Sequence, residues 1–101
     1  MKIEAKKVNG ALVLKLSGEL DESNADFVRE KSDGLIATGN IDRFIYDFTN
    51  LSFMDSTGIG VILGRYKLLK KSHIELLIKN PRPQVMKVIK TAGLNEIINI
   101  I

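Results

Sequence analysis

Apolar and polar residues alternate over Ala11–Ser17, where Leu12, Leu14 and Leu16 are interleaved with Val13, Lys15 and Ser17. A period of two is the pattern of a strand with one face buried. Ile3 to Val8 reads as another strand. Asn9-Gly10 between them suits the positive φ angles of a type I′ hairpin turn, so the two strands are expected to pair antiparallel. The period then lengthens. From about Asn24 to Thr38, the residues Ala25, Val28, Leu35 and Ile36 fall on one side of a helix, with Asp21 or Ser23 as its cap and Gly39-Asn40 as its stop. Ser32 stands where a further apolar residue belongs and Gly34 lies in the interior, which predicts the most labile helix of the chain.

Arg43 to Phe48 reads as a short apolar strand. After it, Ile59, Ile62, Leu63, Tyr66 and Leu69 recur at three- and four-residue steps, the spacing of one buried helix face. This helix is predicted to begin at Asp55-Ser56-Thr57, whose side-chain oxygens suit the unpartnered N–H groups of a first turn. It ends among Lys67, Lys70 and Lys71, where positive charge suits the helix dipole. Gly58, Gly60 and Gly64 each cost about 1 kcal/mol of helix propensity against Ala, which predicts close packing on a neighbouring backbone. Ile74 to Lys79 is a further strand. Asn80-Pro81-Arg82-Pro83 breaks it and opens a third helix with Pro83 in its first turn. Val85, Met86, Val88 and Ile89 are the apolar side of that helix, Ala92-Gly93 ends it, and Glu96 to Ile101 reads as a last strand. The predicted order is β-β-α-β-α-β-α-β. Alternating strands and helices imply right-handed parallel crossovers, hence one α/β domain over residues 1–101 with a mixed sheet, an N-terminal antiparallel hairpin and helices packed on the sheet.

Composition narrows the function. The chain has no cysteine, which removes disulfides, thiol catalysis and thiolate metal sites. No apolar run approaches the roughly 20 residues of a membrane span, and Met1-Lys2-Ile3-Glu4-Ala5-Lys6-Lys7 has no signal-peptide core behind it. A cytoplasmic protein with no membrane contact is expected. The net charge of +3 is unevenly placed: residues 1–60 carry seven Lys/Arg against ten Asp/Glu, and residues 61–101 carry eight against two. The basic residues of the second half are spread over Lys67, Lys70, Lys71, Lys79, Arg82, Lys87 and Lys90, with no interleaved aromatics on which bases could stack. Solvated helix faces account for them better than a nucleic-acid surface.

Chemistry of its own is scarce. The spacing Gly58-x-Gly60-x-x-x-Gly64 is not the dinucleotide fingerprint, Asn80 stands where an acidic ribose partner is wanted, and no phosphate-cradling Gly-rich loop occurs. His73, the only histidine, follows a Lys-rich helix end and reads as a turn residue, so a Ser56–His73 nucleophile pair has no support. No cofactor, metal site or catalytic residue is expected. Asp55-Ser56-Thr57 remains, with two readings. It merely caps a helix, or Ser56 receives a phosphate that the free N–H groups and dipole of the helix start hold without refolding. A phosphoryl group adds about −1.5 to −2 charge beside Asp55, and near Asp21 and Glu19 it makes the surface strongly negative for any docking partner.

Two segments carry a resemblance. Leu16-Ser17-Gly18-Glu19-Leu20-Asp21 and Leu51-Ser52-Phe53-Met54-Asp55-Ser56-Thr57-Gly58-Ile59-Gly60-Val61-Ile62-Leu63-Gly64-Arg65-Tyr66, with Ala92-Gly93-Leu94 before the last strand, resemble the anti-sigma factor antagonists. These are single STAS domains, and the sporulation sigma-F type is the nearest match. The resemblance implies binding to an anti-sigma factor that is also a serine kinase, phosphorylation of the serine matching Ser56, and reversal by a PP2C-type phosphatase. It places Glu19, Asp21, Asp55, Ser56, Thr57 and Gly58 on the partner-facing surface. The family's final helix has no counterpart after Ile101, so Ile97, Ile98, Ile100 and Ile101 are expected to leave an apolar face, compatible with a monomer or a weak homodimer. Alternatives are a STAS scaffold of a stress-sensing assembly, which would elute as a high-mass complex, and a nucleotide-binding STAS protein, which would bind labelled GTP or ATP.

Overall fold

The computed structural model describes residues 1–101. Its strands are β1 (Lys2–Val8), β2 (Ala11–Leu20), β3 (Arg43–Asp47), β4 (Leu51–Met54), β5 (Glu75–Lys79) and β6 (Asn99–Ile100). Its helices are α1 (Ala25–Ala37), α2 (Ser56–Lys71) and α3 (Pro83–Thr91), with a 3₁₀ turn at Leu94–Glu96. The α/β reading, the mixed sheet and the opening hairpin hold. Asn9 and Gly10 both take positive φ (49° and 82°), and β1 pairs antiparallel with β2 from Val8↔Ala11 to Lys2↔Ser17. The remaining pairs, β2–β3, β3–β5 and β5–β6, are parallel.

One strand was not predicted. β4 is only four residues long and its burial does not alternate, because Leu51 and Met54 are buried while Ser52 and Phe53 are not. It pairs parallel with the far end of β2, Gly18↔Leu51 and Leu20↔Met54, with a register shift between them at Gly18/Glu19. Gly18 has φ +117°, a conformation only glycine adopts easily. At the other end, the predicted strand Glu96–Ile101 is shortened. Gly93 turns left-handed (φ 74°), Ile97 and Ile98 both bond back to the Leu94 carbonyl, and only Asn99 and Ile100 pair with β5. Of the isoleucine tail, Ile98 enters the core and Ile100 packs against it, leaving Ile97 and Ile101 exposed.

The core lies between the helices and one sheet face. Leu12, Leu14 and Leu16 of β2, Phe44 and Tyr46 of β3, and Leu76 and Ile78 of β5 meet Val28, Val61, Ile62, Leu69, Val85 and Ile89 of the helices. The opposite sheet face alternates with it and carries charge. Register places Glu4, Lys15, Asp47 and Lys79 side by side across four strands, each beside an opposite charge. Burial alone raises the Asp47 carboxyl, but hydrogen bonds from Thr49 and the charges of Lys79 and Lys15 outweigh it and hold the pKa below the ordinary carboxylate value.

The polar residue in the α1 stripe has a partner. Ser32 is fully buried and its hydroxyl lies 2.7 Å from the Tyr46 hydroxyl, in the ring cluster Phe44–Tyr46–Phe48. Burial pushes the Tyr46 phenol far above its usual pKa, so it stays neutral. One residue on, Asp33 approaches Arg65 of α2 at 3.0 Å; the angle is poor for a hydrogen bond, so the contact is one of charge. Serine at position 32 therefore fits the core because a second hydroxyl waits for it. Ser32→Ala is expected to lower stability by about 1–3 kcal/mol by leaving the Tyr46 hydroxyl unpaired, and adding Tyr46→Phe should restore part of the loss. Urea unfolding of the two single variants and the double variant measures both.

Candidate functional site

The β2–β4 pairing builds the site. Met54 ends β4, and the Asp55 N–H donates to the Leu20 carbonyl at 3.4 Å, so the segment after β2 and the start of α2 leave the sheet side by side. Asp55 is the N-cap. Its Oδ1 accepts from the Thr57 N–H at 2.9 Å and from the Gly58 N–H at 3.4 Å. The expectation that Asp55, Ser56 and Thr57 share the capping is thus corrected: one carboxylate does it, and Ser56 is an exposed first helical residue with its hydroxyl free. The same bonds occupy two of the N–H groups at the helix start.

The neighbouring loop is equally tied down. Asp21 is not a helix cap; its Oδ1 accepts from the Ser23 N–H (3.0 Å) and hydroxyl (2.6 Å). The N-cap position of α1 is Asn24, whose side chain bonds the Asp21 N–H and the Glu19 carbonyl instead of its own helix. Glu19 sits opposite Phe53 in the β2–β4 register, and Phe53 is an exposed aromatic beside the acidic loop. Glu19, Asp21, Asp55, Ser56 and Thr57 are therefore brought to one end of the sheet. Gly58 lies just beneath them, and is buried.

The helix glycines divide by environment. A Cβ on Gly58 would stand 2.5 Å from Met54 Cγ and 3.0 Å from Leu20 Cγ, both in buried side chains. Gly60 and Gly64 have nothing within 4 Å of that position, so the predicted close packing is real only at Gly58 and is against side chains, not backbone. His73 is the left-handed turn residue expected (φ 57°). It follows the far end of α2, about 24 Å from Ser56 by the helix rise, so no Ser–His pair forms. No three His, Asp or Glu converge as a metal site, and no helix is long and apolar enough to cross a membrane.

Sequence reading missed a groove. Ser56 stands at the rim of a depression of about 340 Å³ between α2 and α3, lined by Ile59, Lys87, Val88, Thr91 and Ala92. Ile59 and Val88 match a buried helix stripe in spacing, yet both are only half-buried. Only the approach of the two helices reveals that they face each other.

Residues 2–101 match the model of the STAS domain. The chain belongs to the STAS domain family. It is 38% identical over 100 residues to the anti-sigma F factor antagonist of Paenibacillus polymyxa, covering 99% of this chain and 86% of that protein. The structure of the anti-sigma factor antagonist SpoIIAA in its unphosphorylated form matches with a TM-score of 0.85 and 33% identity, over 99% of this chain and 88% of the other. The Bacillus cell fate determinant SpoIIAA in the phosphorylated form matches with a TM-score of 0.76 and 32% identity, over 99% and 91%. The STAS fold of this chain thus presents its exposed serine on a prebuilt platform, and Gly58 is the joint that seats α2 on it. Gly58→Ala is expected to cost about 1–3 kcal/mol by overpacking, whereas Gly64→Ala should gain about 0.5–1 kcal/mol. Thermal and urea unfolding of the two variants should move in opposite directions.

Proposed function

We propose that this STAS domain is an anti-sigma factor antagonist. It binds an anti-sigma factor that is also a serine kinase, and so frees a sigma factor. Phosphorylation of Ser56 ends the complex, and a PP2C-type phosphatase restores it. One observation carries the reading: Ser56 is exposed, belongs to no capping bond, and stands between an acidic loop and an apolar groove on one face. The names of the relatives support the antagonist role, and a phosphorylated form of SpoIIAA supports modification at this fold.

The geometry also supports a mechanism for the phosphate. A partner covering this face has to dehydrate the rim of the groove, where Ile59, Val88 and Ala92 offer apolar surface. A neutral hydroxyl tolerates that. A dianion does not, because removing a double negative charge from water is far more costly than removing a hydroxyl. Asp55 keeps the helix capped in both states, so the chain itself need not refold.

The test uses the cognate anti-sigma factor, γ-labelled ATP and two variants. Native protein should take up label and Ser56→Ala should not; equal labelling of the two assigns the acceptor elsewhere. Ser56→Asp, a substitution compatible with a helix start, should weaken partner binding by about 1–3 kcal/mol in calorimetry. Unchanged affinity removes the charge mechanism.

A further inference from the structure

A phosphoryl group on Ser56 would find much of the helix start already engaged. Asp55 Oδ1 already holds the Thr57 and Gly58 N–H groups, and its carboxylate adds negative charge beside the serine. The loop on the β2 side contributes Glu19 and Asp21, both acidic. Cations are few. Arg82 is committed to the Thr49 carbonyl at 3.0 Å, and Lys79 faces the opposite side of the sheet with Lys15 and Asp47. On the α3 side, Lys87 lines the same groove as Ser56, is exposed, and takes no part in the chain's ion pairs. Lys90, on the same helix, does not line that groove.

We infer that Lys87 is the counter-ion of phosphorylated Ser56, drawing the phosphate across the groove mouth and covering the apolar surface of Ile59, Val88 and Ala92. The inference rests on the phosphorylation reading above. A phosphate offers three acceptor oxygens and the lysine ammonium three rotatable donors on a flexible stem, so pairing requires no change in either helix. The modification then acts twice on a partner covering this face: it adds a charge, and it closes the apolar groove beside the serine.

Phosphoserine placed at position 56 during translation makes the test independent of any kinase. Its second ionisation, near pH 6, is followed by phosphorus NMR. The charged groups around it are Asp55 on α2, Glu19 and Asp21 on the β2 side, and Lys87 on α3. A nearby cation favours the dianion, so Lys87→Gln should titrate about 0.2–0.7 pH unit higher than the unsubstituted phosphoprotein, the shift that an exposed ion pair produces. Lys87→Arg should keep the unsubstituted midpoint, and Lys90→Gln should leave it unmoved. About 1 M salt should erase the difference. Coincident titrations for the unsubstituted and Lys87→Gln proteins overturn the inference, as does an equal rise in Lys90→Gln. Because the phosphate is installed at synthesis, neither result depends on kinase labelling: absent labelling sinks the functional reading, and absent pairing sinks only the role of Lys87.

Discussion

A ten-residue strand pairs with two different parallel neighbours along its length, and the site follows from that. The first half of β2 lies against β3 (Ala11–Lys15 with Arg43–Asp47), and its last residues, Gly18–Leu20, lie against β4. Gly18, at φ +117°, stands where the register slips within the β2–β4 pairing, and its N–H reaches the Asn50 carbonyl where the chain enters β4. Both strands then leave the sheet together, Leu20 into the acidic loop and Met54 into the cap of α2. Buried Leu20 and Met54 sit under Gly58, so the strand pair also fixes how closely the helix approaches. A side chain there lifts the end of α2 that bears the serine.

The elements legible in the sequence were those whose signal is local. Asn9-Gly10 has one favourable hairpin conformation, and the leucines of β2 alternate without interruption. The α2 stripe is long enough for its period to show. β4 escaped because four residues with pattern buried, half-buried, exposed, buried carry no period, and because its partner is some thirty residues away. Ser32 looked like a flaw in α1 for the same reason: its justification is Tyr46, on another element. At the site, residue types were informative and duties were not. Asp, Ser and Thr all suit a helix start, and only backbone geometry shows that Asp55 holds two N–H groups while Ser56 holds none. The groove was illegible because Ile59 and Val88 follow core spacing and meet only when α2 and α3 do.

That division of labour between adjacent residues leaves the Ser56 hydroxyl outside the bonding of its own helix. A capping hydroxyl would contribute about 1 kcal/mol to the helix, and modifying it would disturb the fold and the signal at once. With the cap assigned to Asp55, Ser56 is free to change charge without loosening α2. The same cap keeps the N-terminal dipole partly neutralised.

Charge over the whole molecule complements this arrangement. Lys67, Lys70 and Lys71 lie at the C-terminal end of α2, and Glu19, Asp21, Glu22 and Asp55 gather at or beside its start, so the long axis of the helix separates a basic end from an acidic one. The open sheet face mixes both signs, its Glu4–Lys15–Asp47–Lys79 row alternating in sign. A partner with a basic docking surface is therefore oriented towards the acidic end before contact, while the basic end repels it. Attraction at long range and exclusion at contact are then separate effects. On the proposed function, the acidic loop would draw such a partner in, and dehydration at the Ser56 rim would decide whether it stays. On that reading a phosphate on Ser56 would strengthen the first and defeat the second, because long-range attraction is screened by salt within about 10 Å, whereas desolvation of a buried dianion is not.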